Sequence, residues 1–567
     1  MSVYQREYNP KKTKGIENKK AYLVGSGIAS LAAAFYLIRD GHMDGKNITI
    51  FERKDINGGA LDGIGDPENG YIIRGGREME EHYECTWDMF ADIPSLEDPN
   101  KTVLDEMKEI NDWDPNVSAQ RVIKSGGERV PVKTLGLEEK HIKQLTKLFL
   151  MKEEDLGAMT VEEFFDPSFL ETDMWLLWRS MFAFQNWHSV VEMKRYMERF
   201  IHLLPGMTEL RDILFSKYNQ YDSFVIPLIR WLKEHGVNFV NNTQVIDLDI
   251  DITEKEKVVT GIHLIQNGEK KYIKTTRDDL VFVINGSMTE NSTLGSMDKA
   301  PELNTELGPV WSLWKNIAAK DPAFGRPEVF YENIDKTKWE SFTMTFKDSK
   351  MADVLRDLTG RDPYSGRVVT GGIVTIKDSN WLMSVTCSRQ PHFANQPDNV
   401  LVLWAYGLFP DNEGNYIKKK MSECTGEELL RELLYHLGVE GDLMEEIVDS
   451  AIVIPAMMPH ITSQFMPRVK GDRPEVVPEG SVNLAFLGQF VEIENDCVFT
   501  VEYSVRSAII AVYKLLNLDK KVPEIYPSKY DIRHVINATK TLYSGKPLPG
   551  EFFVKKLLKD TSLEDLM

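Results

Sequence analysis

The sequence predicts an α/β protein, α+β when taken over its full length, in which a Rossmann-like dinucleotide-binding domain carries an inserted substrate-binding domain and helical segments. Three observations predict it. The apolar run Ala21–Val24 turns through Gly25-Ser26-Gly27 into the helical sequence LAAAFYLIRDGH. A second apolar run, Ile48–Phe51, ends on the acidic Glu52. Far downstream, NLAFLGQF (Asn483–Phe490) reads as a strand closing in Gly488, and VFTVEYSVRSAIIAVYKLL from Val498 reads as a helix. A strand, a glycine turn, a helix and a second strand ending in an acid form the unit that binds an ADP moiety, and a late strand and helix can return to complete its cavity.

The residue types follow from that chemistry. Gly25 permits the tight turn, Gly27 lets backbone N–H groups approach a pyrophosphate at the helix N-terminus, and Glu52 can accept from ribose hydroxyls. Ile28, Ala29 and Ser30 begin the helix; Ser30 stands where a third Gly or Ala usually packs helix on strand, and is small enough to serve. Asn57-Gly58-Gly59 and Arg74-Gly75-Gly76 supply backbone that can press against a large flat cofactor, which favours a flavin over a nicotinamide. With Arg53, Arg77, Glu78, Val245 and Gln489, these residues make up the expected cofactor-binding set. No second GxGxxG follows a strand, so one dinucleotide is expected.

Between the two ends the pattern alternates. Residues 101–204 read as a helical insert that includes Trp175, Trp178, Phe182, Phe184 and Trp187. Residues 235–290 read as strands returning to the nucleotide domain, and 306–464 as a substrate-binding domain of β-like runs and acidic helices. The cofactor domain is therefore expected to be discontinuous, over 20–100, 205–305 and 465–525. A polar arm (1–19) precedes it and a helical tail (526–567) follows.

The chain has 567 residues and a formal charge of −20, from 67 Lys+Arg against 87 Asp+Glu, so its surface as a whole repels nucleic acid and anionic lipid. Cys85, Cys387, Cys424 and Cys497 fit neither a CxxC pair nor a zinc site, so no metal is expected and the usage suits a reducing cytoplasm. The lysine-rich N-terminus lacks an apolar core and is not expected to be a secretory signal. No run approaches the ~18–20 apolar residues needed to span a bilayer. One local exception to the acidic surface is FFVKKLLK (552–559), apolar and basic, which could lie on a membrane or dock as a terminal helix on its own domain.

Longer strings carry a resemblance. These are GSGIASLAAAFYLIRDG, RGGREME (Arg74–Glu80), NWHSVVEMKRYMERF around Tyr196, YNQYDS around Gln220, TCSRQPHF (Thr386–Phe393), HITSQFMPR (His460–Arg468) and FLGQFVEIENDCVFTVEYSVR (Phe486–Arg506). In them the chain resembles the oleate hydratases, the FAD-dependent fatty acid hydratases also described as the myosin-cross-reactive antigen family. The resemblance covers nearly the whole length. It implies FAD, a cytoplasmic homodimer with peripheral membrane contact, and addition of water across the cis-9 double bond of oleic acid to give 10-hydroxystearic acid.

The same resemblance implies that Glu78 activates the water and Tyr196 donates the proton, while Gln220, Thr386, Ser388 and His392 hold the fatty acid carboxylate. Ser388 stands where the family has Asn, a short hydroxyl in place of a longer amide. Hydrating an isolated alkene needs an acid, a base and a water-poor cavity. Glu78 would be held ionised if the guanidinium of Arg74 or Arg77 faced it. A phenol of ordinary pKa near ~10 is a weak acid for carbon protonation, so Tyr196 calls for a neighbouring cation or a flavin contact. Hydration moves no net electrons; the flavin then either organises the site or, when reduced, contributes charge. Two other readings stand beside this one: a flavin oxidoreductase or isomerase acting on a lipid, and a non-enzymatic flavin- and lipid-binding protein.

Overall fold

The computed structural model describes residues 6–546. Strand β1 (Ala21–Val24) pairs in parallel with β2 (Ile48–Phe51) on one side and with Leu280–Ile284 on the other. Asn238–Val240 extends the sheet beyond β2, and Leu484–Leu487 extends it beyond Leu280–Ile284, which makes five parallel strands. Their runs are short and apolar because both faces are covered, as parallel sheets require. Ala21, Leu23, Ile48, Ile50, Val281 and Ala485 are all buried. Helix α1 (Ile28–Arg39) packs between this sheet and helix Val501–Leu516, and its Ala32-Ala33-Ala34 run lets the layers approach closely. The late helix begins at Val501, where the Thr500 hydroxyl accepts from the Tyr503 N–H; the sequence alone suggested Val498.

Thr243–Ile252, Lys257–Gln266 and Glu269–Lys274 form a separate antiparallel meander. Helix Pro309–Ala318, inside the segment expected to belong to the substrate domain, lies against this meander: Asn316 Nδ2 donates to Ile246 O at 3.0 Å and Lys320 pairs with Asp247 at 2.9 Å.

An eight-stranded sheet makes the second body. Its order is Thr293–Leu294, Ala451–Met458, Trp339–Phe346, Leu401–Gly407, Met383–Thr386, Val374–Ile376, Val122–Lys124 and Glu128–Val130. The last two strands fall in the 101–204 segment read as a helical insert. Strands of three residues show no periodicity, and tertiary pairing of Thr375 with Val122 and Ile376 with Ile123 decides their conformation.

Hairpin Gly63–Asp66 and Gly70–Ile73 joins the two bodies. Tyr71 N–H donates to Thr345 Oγ1 at 3.0 Å and Ile73 N–H to Thr343 Oγ1 at 3.2 Å, on strand Trp339–Phe346 of the eight-stranded sheet. The chain leaving this hairpin, Arg74–Glu80, therefore runs at the junction of both sheets. Among the described residues no helix is long and apolar enough to cross a membrane, and the four cysteines are buried and free. Segment 552–559 lies outside the described residues.

Candidate functional site: two joined cavities

A cavity of about 180 Å³ lies at the C-terminal edge of the parallel sheet. Its floor is two glycine turns pressed together: Gly58 N–H donates to Ser26 O at 3.0 Å, and a Cβ on Gly59, whose φ is +60°, would sit 2.9 Å from Gly27 Cα. No side chain caps the N-terminus of α1, so its first N–H groups are free for an anion. Glu52 is fixed at the end of β2: Oε2 accepts from Ser26 N–H (3.0 Å) and Oγ–H (2.6 Å), and Oε1 accepts from Lys54 N–H (2.9 Å). Oε1 keeps a lone pair for a ribose hydroxyl. An uncapped helix end, a glycine cradle and an anchored acid fit the pyrophosphate and ribose of a dinucleotide.

Gly25, Gly27, Ile28, Ala29, Glu52, Arg53, Gly58, Gly59, Arg77, Val245, Gly488 and Gln489 line this cavity. Two residues of the expected cofactor set line neither cavity. Ser30 is fully buried under the turn. Arg74 turns away to pair with Asp62 at 2.6 Å and donates to Gly59 O at 3.0 Å, which makes it a brace of the glycine turn. Gly75, Gly76 and Glu78 line the neighbouring cavity instead.

That second cavity, of about 390 Å³, shares Arg77, Phe499, Thr500 and Val501 with the first. Glu78, Tyr196, Gln220, Thr386, Ser388 and His392 all border it. Much of the wall is apolar, with Trp178, Met181, Phe182, Leu203, Met207, Leu210 and Ile373, and the cavity extends to Phe149 on one peripheral helix and Val535 and Ala538 on another. Such a lining accepts an apolar chain and offers polar contacts only where these few side chains converge. Asn219 brings two of them together, donating its N–H and Nδ2 to His392 O at 2.8 and 3.0 Å while its neighbour Gln220 donates Nε2 to Gly75 O at 3.1 Å. Burial pushes the His392 imidazole down to about 4, so at neutral pH it is uncharged and acts through an N–H or a lone pair.

Glu78 is placed differently from the sequence expectation. Neither Arg74 nor Arg77 faces it: Arg74 holds Asp62, and Arg77 donates to Gly76 O (2.9 Å) and Ala60 O (3.2 Å). Burial pushes the Glu78 carboxyl up to about 7, and the cation that pulls it back down is Arg121. Arg121 sits in the loop leading into the short strand Val122–Lys124 and has no local motif around it, so no sequence signal pointed to it. Tyr196, on helix Val190–Arg199, packs edge-on to Phe182, Phe184 and Phe200, and its hydroxyl donates to Val498 O at 2.6 Å. Burial raises its pKa well above the ordinary phenol value, followed by Cys497, Tyr83, Glu192 and Asp496; these are acids, where the sequence reading asked for a cation.

The parallel sheet, the glycine cradle and the adjoining chamber define the class: a Rossmann-like dinucleotide fold joined to a chamber for an apolar ligand. Residues 18–513 match the MCRA family, and the chain belongs to it. An oleate hydratase of Streptococcus pyogenes serotype M49 (strain NZ131) is 47% identical over 580 aligned positions, covering 100% of this chain and 98% of its own. A linoleate hydratase of Lactiplantibacillus plantarum is 32% identical, covering 92% and 98%. Among solved structures, a protein of Exiguobacterium sp. 255-15, provisionally assigned as a protoporphyrinogen oxidase, shares the fold at a TM-score of 0.50 and 15% identity, covering 89% of this chain and 100% of its own.

Proposed function

We propose that this protein is a FAD-dependent fatty acid hydratase, adding water to the cis-9 double bond of oleic acid and related cis-9 unsaturated fatty acids; oleate gives 10-hydroxystearic acid. The observation that carries the proposal is a titratable carboxyl, Glu78, set in the wall of an apolar chamber that shares Arg77, Phe499, Thr500 and Val501 with the dinucleotide cavity. The hydratase relatives, similar over nearly their full length, support the same reading.

Gln220, Thr386, Ser388 and the uncharged His392 hold the carboxylate by hydrogen bonds, and the apolar wall takes the chain. Ionised Glu78 takes a proton from water as the water oxygen bonds to C10. The π pair of the alkene forms the new C9–H bond with the proton of Tyr196. The two transfers overlap, so the site holds one negative charge that moves from Glu78 to Tyr196; burial opposes it there, which drives a proton back from Glu78. Return of the proton from Glu78 to Tyr196 restores both groups, and the sum is one water added. In the resting site the single Tyr196 O–H is donated to Val498 O and must leave that carbonyl to reach C9; the apolar wall keeps bulk water from competing.

The first cavity would hold FAD by its pyrophosphate at α1 and its ribose at Glu52; when bound, the flavin supplies a planar surface and, if reduced, negative charge. The reading also includes a cytoplasmic homodimer with no nucleic-acid partner, touching the membrane peripherally through segment 552–559.

Anaerobic incubation of the purified protein with FAD and oleate, followed by mass spectrometry, tests the proposal. The expected product is 10-hydroxystearic acid. Oxidised or isomerised fatty acid would instead identify a flavin oxidoreductase, and bound but unchanged oleate a lipid-binding protein; either result contradicts hydration.

A further inference from the structure

Arg121 does not line the chamber, yet its surroundings tie it to Glu78. Arg121 is 4% exposed, and its guanidinium makes one hydrogen bond, from Nη1 to Ile373 O at 2.7 Å; Nε and Nη2 have no partner among the described residues. A buried guanidinium with unused N–H groups is costly unless a nearby negative charge offsets it. The Glu78 carboxyl lies one residue from the carbonyl that Arg121 holds. A Cβ on Gly372, where φ is +104°, would be 3.3 Å from Glu78 Oε1 and 2.4 Å from Leu210 Cδ1.

The loop carrying Arg121 is clamped to the same turn. Asn116 Nδ2 donates to Leu210 O (2.8 Å) and Gly371 O (3.1 Å), Ser118 Oγ donates to Thr370 O (3.1 Å), and the Arg121 carbonyl accepts from Thr375 N–H (3.0 Å). These bonds fix the cation beside the acid without requiring a direct ion pair.

We infer that Arg121 is a positioning residue for the proposed hydration: it acts through Glu78, supplying from the Gly371–Ile373 turn the positive charge that favours the ionised carboxyl. The inference rests on the hydratase reading for its catalytic meaning, but the Arg121–Glu78 coupling can be measured without turnover.

The titratable groups around the pair are few. Tyr406, on strand Leu401–Gly407, acts on Arg121, feels the charges of both groups and is itself held protonated by burial. His392 across the chamber is uncharged at neutral pH, and Arg77, drawn down to about 10 by burial and still charged at neutral pH, donates Nη1 to Gly76 O and Nη2 to Ala60 O. Burial draws Arg121 down to about 10, still protonated at neutral pH, while the two groups pull each other toward their charged forms.

Two readouts test this in the FAD-loaded full chain. The first is an infrared pH titration of the protonated-carboxyl band that Glu78→Gln removes; the second is the pH profile of kcat on oleate. Arg121→Met should move the Glu78 midpoint upward by about one unit or more and lower kcat at pH 7 by about fivefold or more, with KM within about threefold and activity recovering as pH is raised. Arg121→Gln keeps an N–H for Ile373 O and should shift the midpoint the same way; Arg121→Lys keeps the charge and should restore most of it. An unmoved midpoint in both neutral variants, or a loss that raised pH does not recover, overturns the inference. If the wild-type protein hydrates no fatty acid, the hydratase reading fails, while the infrared titration still decides the coupling.

Discussion

Replacing Glu78 with glutamine should lower kcat on oleate by about 10³-fold, equivalent to about 4 kcal/mol of transition-state stabilisation, while FAD affinity changes little. Glutamine matches the shape of the acid and keeps an acceptor oxygen, but it cannot take a proton from water. The pH dependence follows from burial. Glu78 titrates at about 7, so below that pH it carries a proton and cannot serve as base. Wild-type kcat therefore falls as pH drops through about 7 and levels off above it, whereas the residual rate of Glu78→Gln should lack that limb. Steady-state kinetics across pH, paired with a flavin fluorescence titration, measure both. Parallel loss of activity and FAD binding would make Glu78 a structural residue.

Gly59→Val should abolish FAD binding, raising the dissociation constant by about a hundredfold or more, and oleate turnover should vanish with it. A Cβ there meets Gly27 Cα at 2.9 Å, and the φ of +60° strains any L side chain. The strain alone costs roughly 1–2 kcal/mol, and the clash forces apart the two turns that form the cradle. Gly126→Ala serves as the control. Its φ of +80° carries similar strain, but nothing lies within 4 Å of the new Cβ, so it should lose some stability and bind FAD normally. Equal FAD affinity in the two variants would contradict the placement of the cofactor.

The parts legible in the sequence were those encoded locally. β1, its glycine turn, α1 and β2 with Glu52 follow one another without interruption, so period and spacing suffice. The late strand and helix were legible for the same reason, although Thr500, not a change in apolar pattern, sets where that helix starts. What the sequence could not show depends on distant partners. Val122–Lys124 becomes a strand because Val374–Ile376 pairs with it, and helix Pro309–Ala318 lies on the cofactor side because Ile246 O and Asp247 receive it.

The site divides the same way. The residue types at Glu78 and Tyr196 were readable within long strings, but their environments were not. Arg74 and Arg77 are neighbours of Glu78 in sequence, yet Asp62 and two backbone carbonyls claim them, and the cation left for Glu78 comes from Arg121.

Incorporation of isotope from heavy-oxygen water tests hydration through Glu78 most directly. Wild-type protein with FAD and oleate, kept anaerobic, should give hydroxystearic acid carrying one labelled oxygen at C10, and Glu78→Gln run in parallel should give almost none. Product without the label, or equal labelled product from both proteins, would contradict the account.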